Sequence, residues 1–305
     1  MLRAEPRTTE QRNPRSRGLD RKSTRDILRI INAEDARVPR AVAQEIPRIA
    51  RAVDAIVRAL RARGRLIYVG AGTSGRLAVL DAAECSPTFG VAPRTVLAVI
   101  AGGRTALTRA VEGAEDSANW GKRDLAAKKI TARDVVVGLT ASGSTPYVLG
   151  ALAYARHRGA TTVGVTCVRR SAVARVARIT IAPTVGPEVI AGSTRMKAGT
   201  AQKLVLNMLS TAAMVRLGHV YDNWMIDVAL TNRKLRQRGL RILQQAAGAS
   251  VSEAKRALRL ARHNLRAALV MLKTGVDPRE AKRRLRKAQG NLRRALEERV
   301  DTGRI

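Results

Sequence analysis

Acidic residues are scarce in this chain, with 24 Asp and Glu against 57 Lys and Arg over 305 residues. Other shortages each remove a class of function. The three histidines, His157, His219 and His263, stand at no metal-ligand spacing, which argues against a metal centre. Two cysteines, Cys85 and Cys167, are too few for a disulfide framework and predict a reduced, cytoplasmic protein. Aromatics make up 2% of the chain, too few for a base-stacking platform, so specific nucleic-acid binding is not expected. No apolar run is long enough to span a membrane; Leu204–Val215 is interrupted by Asn207, Ser210 and Thr211. The N-terminus has no apolar secretory segment, so export is not expected.

What is abundant is arginine. The formal charge of +33 attracts polyanions at low salt. Yet the arginines are spread over the polar positions of most amphipathic patterns. They read as a solvated basic surface that would steer an anionic metabolite inward.

Residues 1–19 hold five Arg and two Pro and predict a flexible basic tail. Residues 20–238 predict one α/β domain, and 239–305 a small helical domain. Helical spacing runs from 20 to 63, with Asp20 and Ser23 as candidate caps and Pro39 and Pro47 near starts or kinks. Short β-branched runs then alternate with helical stretches: Leu66–Val69, Thr95–Ile100, Val135–Thr140, Thr162–Thr166 and Ile179–Ala182. This alternation predicts a parallel five-stranded sheet flanked by helices, flavodoxin-like; if the strand order is 2-1-3-4-5, the first and third strands are neighbours at the switch point. A long helix is expected over 194–217, helix again over 222–237, and a C-terminal bundle of about three helices.

Three loops are rich in small and hydroxyl residues. Gly70–Arg76 follows the first strand, Ala141–Pro146 follows the third, and Gly192–Thr200 opens the long helix. Each sets Ser or Thr beside backbone that can approach a ligand closely, which suits a phosphate. Gly70, Gly72 and Gly75 match Gly-x-Gly-x-x-Gly, but no acid follows the second strand to hold a ribose. No Gly-Lys-Ser/Thr follows either, so a small phosphorylated metabolite fits better than a nucleotide.

Few carboxylates lie near these loops. Glu84 stands where a helix gives way to a Pro-marked turn, Glu115 in a break between helices, and Glu188 just after the last strand. Carboxylates around one cleft suit general acid–base work; helix capping is the plainer alternative, with Asp116 or Ser117 as the cap of the next helix.

The segments Asn32–Asp35, Gly70–Arg76, Asp81–Cys85, Val111–Asp116 and above all Gly192–Lys203, GSTRMKAGTAQK, resemble the N-acetylmuramic acid 6-phosphate etherase family of sugar-isomerase (SIS) domain enzymes. The resemblance runs from about Leu19 to Leu296. It implies a lyase that removes D-lactate from C3 of N-acetylmuramic acid 6-phosphate, leaving N-acetylglucosamine 6-phosphate. A base takes the C2 proton of the open-chain aldehyde, lactate departs, and water adds to the unsaturated aldehyde. No metal or redox cofactor is implied, because the substrate's own carbonyl stabilises the carbanion.

By the same resemblance Glu84 is the proton donor to lactate and Glu115 the second acid–base residue. Phosphate contacts fall to Gly72, Thr73, Ser74, Ser142, Ser144 and Thr145, with Ser193 and Thr194 near the sugar. Arg195 and Lys197 are candidates to pair with phosphate or lactyl carboxylate or, as helix-start residues, equally to be structural, and Glu188 matches a carboxylate position of SIS isomerases. Ser144 stands where many members carry Arg, which implies one cationic contact fewer. The family implies a homodimer serving amino-sugar metabolism and cell-wall recycling. A non-catalytic sugar-phosphate regulator on the same fold is the alternative; it would have no need of Glu84 and Glu115 together.

If the basic surface is only a solvated one, affinity for random duplex DNA collapses between 50 and 200 mM salt, by roughly 10³-fold or more for six phosphate contacts. Binding that persists at high salt in a filter or anisotropy titration would contradict this.

Overall fold

The computed structural model describes residues 8–228, 230 and 232–297. The chain begins with three helices, α1 (Thr24–Asp35), α2 (Val38–Ala43) and α3 (Ile46–Arg61). Strands and helices then alternate: β1 (Leu66–Gly70), α4 (Gly72–Phe89), β2 (Val96–Ile100), α5 (Ala118–Ala126), β3 (Val135–Leu139), α6 (Pro146–His157), β4 (Thr161–Val165), α7 (Ala172–Val176) and β5 (Ile179–Ile181). After α8 (Lys197–Arg216) come a hairpin, β6 (Val220–Tyr221) and β7 (Trp224–Met225), and five helices: α9 (Arg233–Ala247), α10 (Val251–Leu260), α11 (Leu265–Thr274), α12 (Pro278–Lys287) and α13 (Leu292–Glu297).

The chain forms two compact units. One takes the chain up to Ala83 together with Pro93–Ala213; the other takes Glu84–Ala92 and everything from Met214 onward.

In the first unit all five strands are parallel, as the alternation of strands and helices predicts, and their order is β2-β1-β3-β4-β5, the one assumed above. The strands are near-continuous Val, Ile and Leu because helices cover both faces; every residue of β1 and β3 is buried. At the base of the sheet, Asp134 accepts from the Arg65 backbone N–H at 2.9 Å and from its guanidinium at 2.8 Å, tying the start of β1 to that of β3. The prolines sit in the first turns of α2 and α3, where no amide donor is required. Ser23 caps α1 by accepting from the Asp26 N–H.

Residues 1–7 of the expected tail lie outside the described residues. The rest of it is largely exposed but anchored at Asn13 and Ser16. Asn13 is buried and donates to Glu34 at 2.8 Å and to the Pro187 carbonyl at 3.1 Å, while the Ser16 hydroxyl donates to the Val189 carbonyl at 2.7 Å. Short polar side chains here satisfy buried acceptors, which composition does not reveal.

In the second unit two expectations fail. The 222–237 segment is not one helix: Asp222 takes a positive φ of 53° at the turn of the β6–β7 hairpin, and α9 starts only after its Asn232 cap. The C-terminal bundle has more helices than expected, because Arg262 and His263 break the chain in left-handed backbone before Asn264 caps α11. Its core is Ala and Leu, including Leu243, Ala268 and Leu269 at 0% exposure. The Glu84–Ala92 segment joins this unit at Gly90, where a Cβ would lie 2.6 Å from the Asp227 carbonyl oxygen.

No helix among the described residues is long and apolar enough to cross a membrane.

Helices α5 and α6 touch backbone to backbone. A Cβ on Gly121 would lie 1.9 Å from the Tyr147 carbonyl oxygen, and one on Gly150 2.1 Å from that of Ala118. Alanine improves intrinsic helix propensity by about 1 kcal/mol, but here the overlap must drive the helices apart. Gly121→Ala and Gly150→Ala are each expected to lower stability by about 1–3 kcal/mol in urea unfolding. An unchanged midpoint would show that the contact is not tight.

Candidate active site

The parallel register pairs Gly70, the last residue of β1, with Leu139, the last of β3. The first two loops therefore leave neighbouring strands side by side, at the edge where open parallel sheets hold ligands. In the first loop, a Cβ on Gly70 would sit 2.7 Å from the Gly75 nitrogen, and one on Gly75 2.8 Å from the Gly70 carbonyl oxygen. Only glycine at both positions lets α4 begin this close to the strand. Thr73 is half-buried and Ser74 buried, whereas Gly72 is exposed.

The second loop is a chain of hydroxyls. Thr140 accepts from the Gly143 N–H at 3.2 Å and lies 2.9 Å from the Thr145 hydroxyl; Ser142 and Ser144 lie 3.0 Å apart. Each hydroxyl can rotate, so the chain can turn its donors toward an anion. Thr145 occupies the position preceding α6, with Pro146 at the first helical position. Thr140 organises this loop and was not among the expected site residues; its place in the third strand concealed it.

Glu115 lines a cavity of about 220 Å³ together with Ala71, Gly72, Arg76, Glu112 and Asp116. The fold thus joins the first phosphate-type loop to a carboxylate distant in sequence. Two contacts fix Glu115 in place. Its carbonyl accepts the Tyr147 N–H of α6 at 3.0 Å, and Ser117, not Asp116, caps α5 by accepting from Trp120. Glu84 lies near the end of α4, in the second unit. Both carboxylates are exposed, and among the described residues neither has a hydrogen-bond or ion-pair partner. Carboxylates left without partners are available to a substrate.

At the third loop, two side chains are tied into the fold. Lys197 is fully buried and ion-paired with Glu34, which also accepts from Asn13 and pairs with Arg15 and Arg37. It is therefore already neutralised by the protein. Burial alone would raise the Glu34 carboxyl; hydrogen bonds from Lys197, Asn13 and Arg15 outweigh that and hold it at about 2. Glu188 is buried too, accepting from the Lys197 N–H at 3.0 Å and the Ala198 N–H at 2.9 Å. It caps α8, and burial pushes its carboxyl above the ordinary range despite those bonds. Ser193 and Thr194 are half-buried in the turn before α8, and Arg195 is exposed. A Cβ on Gly199 would lie 3.4 Å from the Thr73 methyl, so the start of α8 packs on the first loop.

Among the described residues no group of three or more His, Cys, Asp or Glu could hold a metal ion.

Two family models match the chain: the glucokinase regulatory protein N-terminal SIS domain over residues 48–156, and the SIS domain over residues 119–212. Whole-length relatives are closer in sequence. The chain is 54% identical to the N-acetylmuramic acid 6-phosphate etherase of Serratia proteamaculans, over 88% of this chain and 91% of that protein. It is 55% identical to that of Yersinia pestis, with the same coverage, and 51% identical to N-acetylmuramic acid 6-phosphate etherase 1 of Bacillus licheniformis, over 88% of this chain and 89% of the relative. Among solved structures, a phosphoheptose isomerase from Francisella tularensis aligns with TM-score 0.48 and 21% identity, over 62% of this chain and 98% of that one.

The Glu34–Lys197 pair yields a stability prediction. Glu34→Gln strands a buried ammonium and is expected to cost about 3–5 kcal/mol at neutral pH. Because Glu34 titrates lower in the folded chain than its ordinary 4.5, its contribution is complete above that pH. The gap between the two proteins should therefore narrow as pH falls from about 4.5 toward 2. Urea titrations across that range check this, and a gap independent of pH would contradict it.

Proposed function

The chain belongs to the N-acetylmuramic acid 6-phosphate etherase family, and from that membership we propose how its loops and carboxylates divide the family's reaction. The protein is a carbon–oxygen lyase that cleaves the D-lactyl ether of N-acetylmuramic acid 6-phosphate. The loops after β1 and β3 hold the 6-phosphate through Thr73, Ser74, Ser142, Ser144, Thr145 and the N–H groups that open α4 and α6. This grip costs little reorganisation, since glycine has already brought backbone donors to the ligand's level. Ser193 and Thr194 contact the sugar.

With the ring open, the C1 carbonyl acidifies the C2 proton. One carboxylate removes it, the electron pair forms the C2–C3 double bond, and the C3–O bond breaks as Glu84 gives a proton to the departing lactate. Water then adds at C3, a proton returns to C2, and N-acetylglucosamine 6-phosphate is left. Glu115 is the second acid–base group. The observation that carries this reading is that Glu115, whose carboxylate has no partner among the described residues, lines one cavity with Ala71 and Gly72 of the first loop. Glu188 and Lys197 serve that site from beneath by fixing the start of α8.

A regulator would need the loops but not the two unpaired acids, and the relatives' names favour the enzyme. We take the active form to be a cytoplasmic homodimer. We assign the reaction to amino-sugar metabolism in cell-wall recycling.

Incubation with N-acetylmuramic acid 6-phosphate should release D-lactate, and Glu84→Ala and Glu115→Ala should each lower kcat by roughly 10²–10⁴-fold. No lactate from the unmodified protein would overturn the reaction. Undiminished turnover in both variants would overturn the assignment of the carboxylates.

A further inference from the structure

The substrate carries two anionic groups, a phosphate and the carboxylate of the lactyl ether. The phosphate-type loops account for one. The other has to reach C3, beside the acid–base groups, and the surroundings of Glu115 are hostile to it: Glu112, Glu115 and Asp116 all line the same cavity. Like charges gathered at one cavity oppose the entry of another carboxylate unless a cation offsets them. Lys197, a candidate from its motif, is buried and neutralised by Glu34.

Among the described residues lining the cavity, Arg76 is the one cation. Its position is set by the main chain. Its Nε donates to the carbonyls of Ala106 at 2.9 Å and Leu107 at 3.3 Å, and its Nη2 to that of Arg109 at 3.1 Å. These bonds hold one edge of the planar guanidinium against the segment leading to Glu112. A guanidinium has five N–H donors in a fixed fork. Those bonds engage Nε and one Nη2 proton, so Nη1 and the remaining Nη2 proton keep their donors, and no described residue accepts from Nη1. That free edge has the geometry for a two-pronged grip on a carboxylate.

Resting on the reaction assigned above, we infer that Arg76 is the specificity-determining residue for the leaving group: its carbonyl-clamped guanidinium receives the lactyl carboxylate. It selects sugar phosphates whose C3 ether carries an acid, and it offsets the three carboxylates around it. Lysine could supply the charge but neither the clamp nor the fork.

The test separates a grip on lactate from a grip on phosphate or a general structural role. Arg76→Gln and Arg76→Lys are compared with the unmodified protein in two reactions. One is D-lactate release from N-acetylmuramic acid 6-phosphate. The other is exchange of the C2 proton of N-acetylglucosamine 6-phosphate in D2O, which needs the phosphate and the base but has no lactyl group. For Arg76→Gln, kcat/KM of lactate release should fall by about 10- to 150-fold, the range for a lost charged hydrogen-bonded contact, with the loss mainly in KM. Exchange should fall at least tenfold less, and Arg76→Lys should recover only part of the loss. A 3-O-ethyl analogue, lacking the carboxylate, should be handled by Arg76→Gln and the unmodified protein alike.

Equal losses in release and exchange would overturn the inference and assign Arg76 to phosphate binding or to structure. Retained preference for the acid-bearing ether over the ethyl ether in Arg76→Gln would overturn it as well. Should Arg76→Gln melt well below the unmodified protein, Arg76→Lys with the same pair of ethers decides. Absence of both release and exchange in the unmodified protein would instead overturn the reaction itself.

Discussion

The register that sets Gly70 of β1 beside Leu139 of β3 is the constraint from which the site follows. Parallel strands send every strand-to-helix turn out at the same edge of the sheet. Because β1 and β3 are neighbours, the loops after them meet there even though β2, α5 and their connections separate them in sequence. The Arg65–Asp134 ion pair holds the opposite ends of the same two strands together. The α5–α6 backbone contact extends the arrangement outward: α6 starts at the second loop, and its Tyr147 N–H fixes the Glu115 carbonyl. One pairing choice in the sheet thus aligns two hydroxyl-rich loops, two helix N-termini and a carboxylate.

Burial sorts the few acids into two populations. Glu34, Glu45, Asp81, Asp134 and Glu188 are all buried, and each is engaged by hydrogen bonds. Asp81 shows what burial does with weak compensation: Tyr68 and Ser210 donate to it, yet desolvation still raises its carboxyl. These groups hold elements together. Glu84 and Glu115 are exposed and unpartnered. Glu112 and Asp116, beside Glu115, are likewise exposed and without side-chain partners, so exposure separates the carboxylates open to a ligand from those the fold has engaged.

The order of strands and helices was legible in the sequence because the patterns that carry it are local. Alternation of β-branched runs with helical spacing marks β1 to β5 within a residue or so of their ends. The β6–β7 hairpin was not legible: two residues per strand give no periodicity, and the turn rests on Asp222 adopting a left-handed backbone. The helix break at Arg262–His263 was hidden for the same reason.

The site divides along the same line. By itself the sequence determined the three loops, the acids that stand near them and, through its motifs, the family, since each is a short run whose residue types carry the chemistry. Only the tertiary structure decided which charges are free to act. Lys197 meets Glu34 across 163 positions and vanishes into the core. Glu188 folds back to cap α8. Arg76, read as one more loop residue, is turned by the carbonyls of residues 106–109 into the cavity that holds Glu115. A cation's role depends on which anion reaches it first, and that is settled by contacts between segments far apart in the chain.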